Sequence, residues 1–211
     1  MYNLQKNNYH LKPKNSNIYT PPEVSQFIFE LLKDKIAKKG VILDPCSGQG
    51  SLLDPWKENE FWTYGIDVDK NSSTNLVRNF LNWDGVCSSF YSNEVRLILC
   101  NPPFNGYKGK LGSEVWLDKI IELFGKDIPI VLFVPVGFCA NLTLKSKRLE
   151  KFNNGTYPPI ASRISLPKNI FTGVTFHSEI LIFNIQGLEP HYFFNHHYEP
   201  PIKSKSHDNL N

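Results

Sequence analysis

Hydrophobic positions recur with two different periods along the chain. Val24, Phe27, Ile28, Leu31 and Leu32 fall three and four apart. That spacing predicts an amphipathic helix opening at Pro21-Pro22, with Thr20 as its cap and Glu23 in the first turn. Short apolar runs then alternate with polar or glycine-bearing stretches. "GVILD" predicts a strand ending at Asp44, "FWTYGID" a second ending at Asp67, and "LVRNFLNW" a short third. "VRLILC", "IPIVLFVPV", "ASRISLP" and "SEILIFNI" supply four more. "SEVWLDKIIELFG" is amphipathic and closes at Gly125. Strands interleaved with helices predict an α/β fold: a mostly parallel seven-stranded sheet with helices on both faces. Residues 1–18 are polar and carry Lys6, Lys12 and Lys14, so a flexible arm is expected there. The body is expected over 19–188. Residues 189–211, rich in His, Tyr, Pro and Lys, are expected to form a partly disordered tail that frays after Pro200.

Composition changes this picture little. A chain of 211 residues suits one domain with a core of useful size. A net charge of +3 permits a nucleic-acid partner without arguing for one. Cys46, Cys87, Cys100 and Cys139 form no C-x-x-C pair, which argues against a zinc ribbon or a redox couple. His177, His191, His196 and His197 lie at or near an aromatic tail rather than at metal-ligand spacing, so no metal is expected. No leader or spanning segment is expected, because every apolar run is short.

Ligands of such sheets lie at the carboxyl ends of the strands. Asp44, Asp67, Asn101 and Pro135 all fall at those ends. "DPCSGQG" sets Gly48 and Gly50 behind Asp44. It reads either as a tight turn or as a loop whose bare backbone admits a ligand. Asp67 follows roughly twenty residues on, where an acid can accept from the ribose hydroxyls of an adenine-bearing cofactor; Val68 would then flank the adenine of that cofactor. A solvated acidic strand end is the alternative for Asp67 and Asp69. "NPPF" is more pointed. Pro102 and Pro103 cannot donate to a strand ladder, so they stop the strand and leave a stiff extended tip. That tip displays the Asn101 amide, backbone carbonyls and Phe104. Lys145, Lys147, Arg148 and Lys151 read either as phosphate contacts or as a solvated face.

"YTPPEV", "DPCSGQG", "GIDVDK", "NFLNW" and "NPPF" occur in an order that resembles adenine-N6 DNA methyltransferases, in particular the gamma class and the modification subunits of type I restriction systems. "SLPKNIFTGVTFHSEILIFN" is similar to their last two core strands. The resemblance spans roughly residues 19–185 and implies a Rossmann-like class I methyltransferase fold with S-adenosylmethionine as cofactor. It implies that Tyr19, Thr20 and Pro21 close over the methionine part, and that Asp44, Pro45, Cys46, Gly48 and Gly50 line its amino-acid end. Asp67 and Val68 would hold the ribose and adenine, together with Asn79 and Phe80. Asn79 stands where an acid is common in the family. Asn101, Pro102, Pro103 and Phe104 would be the catalytic tip. Phe104 and Phe171 would sandwich a flipped base, with Lys145, Lys147 and Arg148 on the phosphates.

The implied partner is adenine-containing duplex DNA, met in the cytoplasm of a bacterial or phage-infected cell. Gamma-class enzymes that find their site alone carry a large recognition region, and none is evident here. A loosely selective methylase, a methylase with a separate specificity subunit, and the same fold acting on RNA or a protein glutamine all stay open. So does a weakly catalytic cofactor- or DNA-binding subunit.

Overall fold

The structure, a computed structural model, describes residues 18–104 and 110–197. The expected N-terminal arm, Ile18 apart, and the expected fraying after Pro200 lie outside the described residues.

Among the described residues, eight strands form one sheet: β1 (Val41–Asp44), β2 (Trp62–Asp67), β3 (Leu76–Val77), β4 (Val95–Cys100), β5 (Ile130–Pro135), β6 (Ile160–Ser165), β7 (Ser178–Phe183) and β8 (His191–Phe193). Their order is β3-β2-β1-β4-β5-β7-β6-β8. β7 runs antiparallel to β5 and β6, and the other pairings are parallel. The eighth strand was not expected. Arg163 pairs with His191 and Ser165 with Phe193, so an apparently tail-like stretch is held by its backbone at the open edge of β6. Its side chains are largely exposed, which is why no hydrophobic period announces it. The expected third strand shrinks to two residues, because Phe80–Asn82 closes into a 3-10 turn.

The alternation of the strands sorts the core into two layers. Ile42, Leu97, Leu99, Val131, Phe133, Ile180 and Ile182 face α1 (Pro22–Leu32) and α2 (Asp54–Glu58). Leu43, Ile98, Leu132, Val134 and Leu181 face α3 (Gly112–Phe124) and α4 (Gly137–Ala140). Helices therefore cover both faces, as the spacing predicts. Burial of β4, β5 and β7 on both sides explains their unbroken apolar runs. No helix of the described residues is long and apolar enough to cross a membrane.

The polar segment after β5 contains α5 (Lys147–Asn153), capped by Ser146, whose Oγ accepts from Leu149 N. This helix corrects the reading of Arg148 as a phosphate contact. Arg148 is buried, donates to Glu114 on α3 at 3.2 Å and lies over the Phe138 ring at 4.6 Å. Lys151 is likewise engaged, with Asp118 at 2.7 Å and the Tyr157 hydroxyl at 3.1 Å. Only Lys145 and Lys147 of this group point to solvent.

Removing one member of a buried pair leaves the other charge uncompensated. Arg148→Ala is expected to cost about 3 kcal/mol in urea denaturation. Lys145→Ala is expected to stay within about 0.5 kcal/mol of the parent.

Candidate functional site

The loop after β1 is drawn back onto β2. Ser47 N donates to Ile66 O at 3.0 Å, and the Asp67 carboxylate accepts from Gly48 N at 2.7 Å and from Asp69 N at 2.9 Å. Asp67 therefore holds the loop in place while standing at the strand end. Val68 beside it is 72% exposed and offers an apolar face to whatever lies there.

Gly48 has φ +51°, a left-handed conformation natural to glycine. Its missing side chain has a specific consequence. A Cβ there would come within 2.8 Å of the Tyr19 ring. The bare backbone at Gly48 thus receives the aromatic ring of the segment just before α1, a contact beyond the tight turn or ligand loop that the sequence left open. The same strap carries Thr20. It is buried, yet it does not cap α1; the N-cap is Pro21, with no side-chain cap. Thr20 Oγ1 instead accepts from Asn101 Nδ2 at 3.0 Å, across 81 residues.

Asn101 directly follows β4, whose pairing with β5 ends at Cys100 opposite Leu132. Two prolines end the ladder there, as expected. The tip is braced from below by α3. A Cβ at Gly112 would fall 1.7 Å from the Pro103 carbonyl oxygen, so only glycine can start that helix where it starts. Gly112 N donates to Phe104 O at 3.4 Å. Gly112 was not singled out from the sequence; its signal is a glycine at the entrance of the helix that follows the tip.

Two acids and two thiols share the strand ends. Asp44 is 1% exposed and its Oδ1 accepts from Cys46 N at 3.0 Å. Burial, with a further push from Asp67, drives its carboxyl up to about 7, against the bonds from Cys46. Cys46 Sγ lies 3.7 Å from Cys100 Sγ. Burial raises both thiols, so neither is poised as a thiolate nucleophile. Pro45, in the same loop, is buried.

Several expected contacts are placed differently. Phe80 is 2% exposed and packs against Trp83, so it is a core residue rather than an open cofactor contact. Asn79 is exposed, but its Oδ1 already accepts from Leu81 N at 3.0 Å as a cap. Phe104 and Phe171 are 8% and 2% exposed. Both meet Phe176: Phe104 edge-on at 5.2 Å, Phe171 stacked at 5.5 Å. The site's two expected base-stacking rings are therefore closed over by a third aromatic that sequence reasoning passed over.

The brought-together set is thus Tyr19, Thr20, Asp44, Cys46, Gly48, Asp67 and Asn101, at the carboxyl ends of β1, β2 and β4. With Val68 beside Asp67, these residues have the chemistry to suit a cationic amino acid joined to a nucleoside: a buried acid for an ammonium, a strand-end carboxylate for a ribose, and an exposed valine for a base.

A family model described as N-6 DNA Methylase matches residues 1–73. The match covers α1, β1, the loop and β2, and ends before the Asn101 tip. No curated protein matches the chain. Among solved structures, the chain is similar to a Listeria monocytogenes protein proposed to be a class I S-adenosylmethionine-dependent methyltransferase, with TM-score 0.56, 15% identity, and coverage of 82% of this chain and 64% of that one. It is similar to a type I restriction-modification methyltransferase subunit from Streptococcus thermophilus, with TM-score 0.57, 18% identity, and 85% and 48% coverage. A third is a nuclease-deletion mutant of the Type ISP enzyme LlaGI with a DNA substrate mimic, with TM-score 0.58, 10% identity, and 85% and 28% coverage. The fold is that of the class I methyltransferases. The chain spans less than two thirds of the length of each of these structures.

The raised Asp44 pKa has a signed consequence. Between about pH 4 and 7 the folded chain holds a proton at Asp44 that the unfolded chain releases. Stability from this group is complete below about pH 4 and is lost as the pH climbs to about 7, a total of about 4 kcal/mol. Urea denaturation at pH 4.5 and 7.5 is expected to show this fall in the parent relative to Asp44→Asn. A difference between the two proteins that does not change with pH contradicts it.

Proposed function

We propose that this protein transfers a methyl group from S-adenosylmethionine to the N6 amine of adenine in DNA. The single observation that carries the reading is the Asn101 amide. It stands on a proline-stopped strand end, with Nδ2 bonded to Thr20 and no hydrogen bond to Oδ1 among the described residues. The family description that matches residues 1–73 supports the same chemistry.

The cofactor supplies a methyl group already activated on a sulfonium. The chain must then hold, orient and desolvate. Asp44 would face the ammonium in its ionised form, Asp67 would accept from the ribose while keeping its two loop amides, and Val68 would flank the adenine. Tyr19, seated on Gly48, would close that end. An aromatic amine is a poor nucleophile because its lone pair is delocalised into the ring. Asn101 Oδ1 and the Pro102 carbonyl would each accept one amine hydrogen, favouring a pyramidal nitrogen and stabilising the positive charge that develops on it. Alignment of nitrogen, methyl and sulfur supplies much of the remaining rate.

A base in a duplex has to leave the stack to reach this tip. Phe104 and Phe171 are the stacking faces in this reading, each worth about 1–3 kcal/mol. Both are packed against Phe176, so Phe176 must yield when the base enters. Lys145 and Lys147 remain as phosphate contacts. Target selection would come from a separate specificity subunit, and the protein would act within a restriction-modification system in the cytoplasm.

Transfer of labelled methyl from S-adenosylmethionine is expected in duplex DNA, recovered after digestion as N6-methyldeoxyadenosine. Label confined to RNA or protein contradicts the proposal. Cofactor binding with no label in any pool identifies a subunit that lacks catalysis on its own.

A further inference from the structure

We infer that Thr20 is a positioning residue for Asn101, acting through the amide rather than through the cofactor; the inference deepens the methyltransferase reading and rests on it. An asparagine amide has two ends of nearly equal size and opposite hydrogen-bonding character. Only the oxygen end can accept from a substrate amine. The amide turns about a broad, shallow torsion, so nothing intrinsic to the residue keeps that end forward.

In this structure the torsion is pinned from outside the tip. Thr20 Oγ1 accepts from Asn101 Nδ2 at 3.0 Å. Thr20 is 6% exposed, so little water competes for that bond. The hydroxyl is itself well anchored. Pro21, the next residue, is the N-cap of α1, and its carbonyl accepts from Val24 N at 3.0 Å and Ser25 N at 3.2 Å. The preceding residue, Tyr19, is seated on Gly48. Thr20 therefore sits between two fixed points and presents its oxygen to one amide hydrogen of Asn101. With Nδ2 so engaged, Oδ1 is the end left for another donor. A hydroxyl with the chemistry of a helix cap is used here across the sheet, and α1 is left with no side-chain cap.

The test uses Thr20→Val, which keeps the shape and removes the oxygen, with Thr20→Ser as the rescue. Three readouts are taken on the full chain: kcat for methyl transfer to DNA, cofactor Kd, and the side-chain amide signals of Asn101 in ¹⁵N-labelled protein, identified by their absence in Asn101→Asp. Thr20→Val is expected to lower kcat at least tenfold, to leave cofactor Kd within threefold, and to move the Asn101 amide protons upfield. Thr20→Ser is expected to restore most of the rate and the parent amide signals. An unchanged kcat with a raised Kd makes Thr20 a cofactor contact and overturns the inference, as do unmoved amide signals. If the parent protein transfers nothing to DNA, the functional reading fails by itself. The amide signals still decide the role of Thr20: a shift in Thr20→Val supports it and no shift overturns it.

Discussion

The site depends on the way β4 is stopped. A strand buried on both faces would ordinarily continue its ladder until the apolar residues run out. Here Pro102 and Pro103 remove two donors in succession, so pairing with the neighbouring strands ceases while the backbone stays extended. The released segment is caught at once. Gly112 lets α3 start against the Pro103 carbonyl with no side chain between. Phe104 drives its ring into the core layer shared with Phe133 and Phe171. Thr20 reaches across from the start of α1 to Asn101. A tip braced on three sides keeps its polar groups at fixed positions, which is what stabilisation of a developing charge requires.

The neighbouring loop obeys the same economy of contacts with opposite electrostatics. Asp67 satisfies two backbone amides and so joins the glycine loop to the end of β2. Asp44 is deeper and less satisfied, and burial holds its proton to near neutral pH. An acid of this kind is costly to ionise alone. A cation arriving beside it would offset that cost, which makes Asp44 a natural counterpart for the ammonium end of the proposed cofactor. Burial raises the thiols of Cys46 and Cys100, so neither offers a thiolate to the proposed transfer.

Much of the fold was legible from period and punctuation. The first helix, seven of the strands and the long helix of "SEVWLDKIIELF" follow from apolar spacing, and the tip from two prolines. The parts that were not legible share a physical cause: their determinants lie in distant partners. β8 has an exposed, irregular sequence and exists because β6 offers a free backbone edge. Thr20 has the right chemistry for a cap, and only the fold reveals that Asn101 is nearer use for it. Arg148 looks like its neighbours Lys145 and Lys147 in a basic run, but α5 turns it inward to Glu114. Phe80 carries the right residue type for a flat ligand contact, and burial gives it to the core. Phe176 gave no signal beyond being one more aromatic in a loop.

In the proposed reaction the Asn101 amide oxygen acts on the acceptor nitrogen in the transition state and has no part in holding the cofactor. Single-turnover methyl transfer by Asn101→Ala, at saturating S-adenosylmethionine and DNA, tests it most directly. A rate lowered at least a hundredfold is expected, with cofactor Kd within about twofold of the parent. A variant that transfers at the parent rate, or one that loses the cofactor as steeply as it loses the rate, would contradict it.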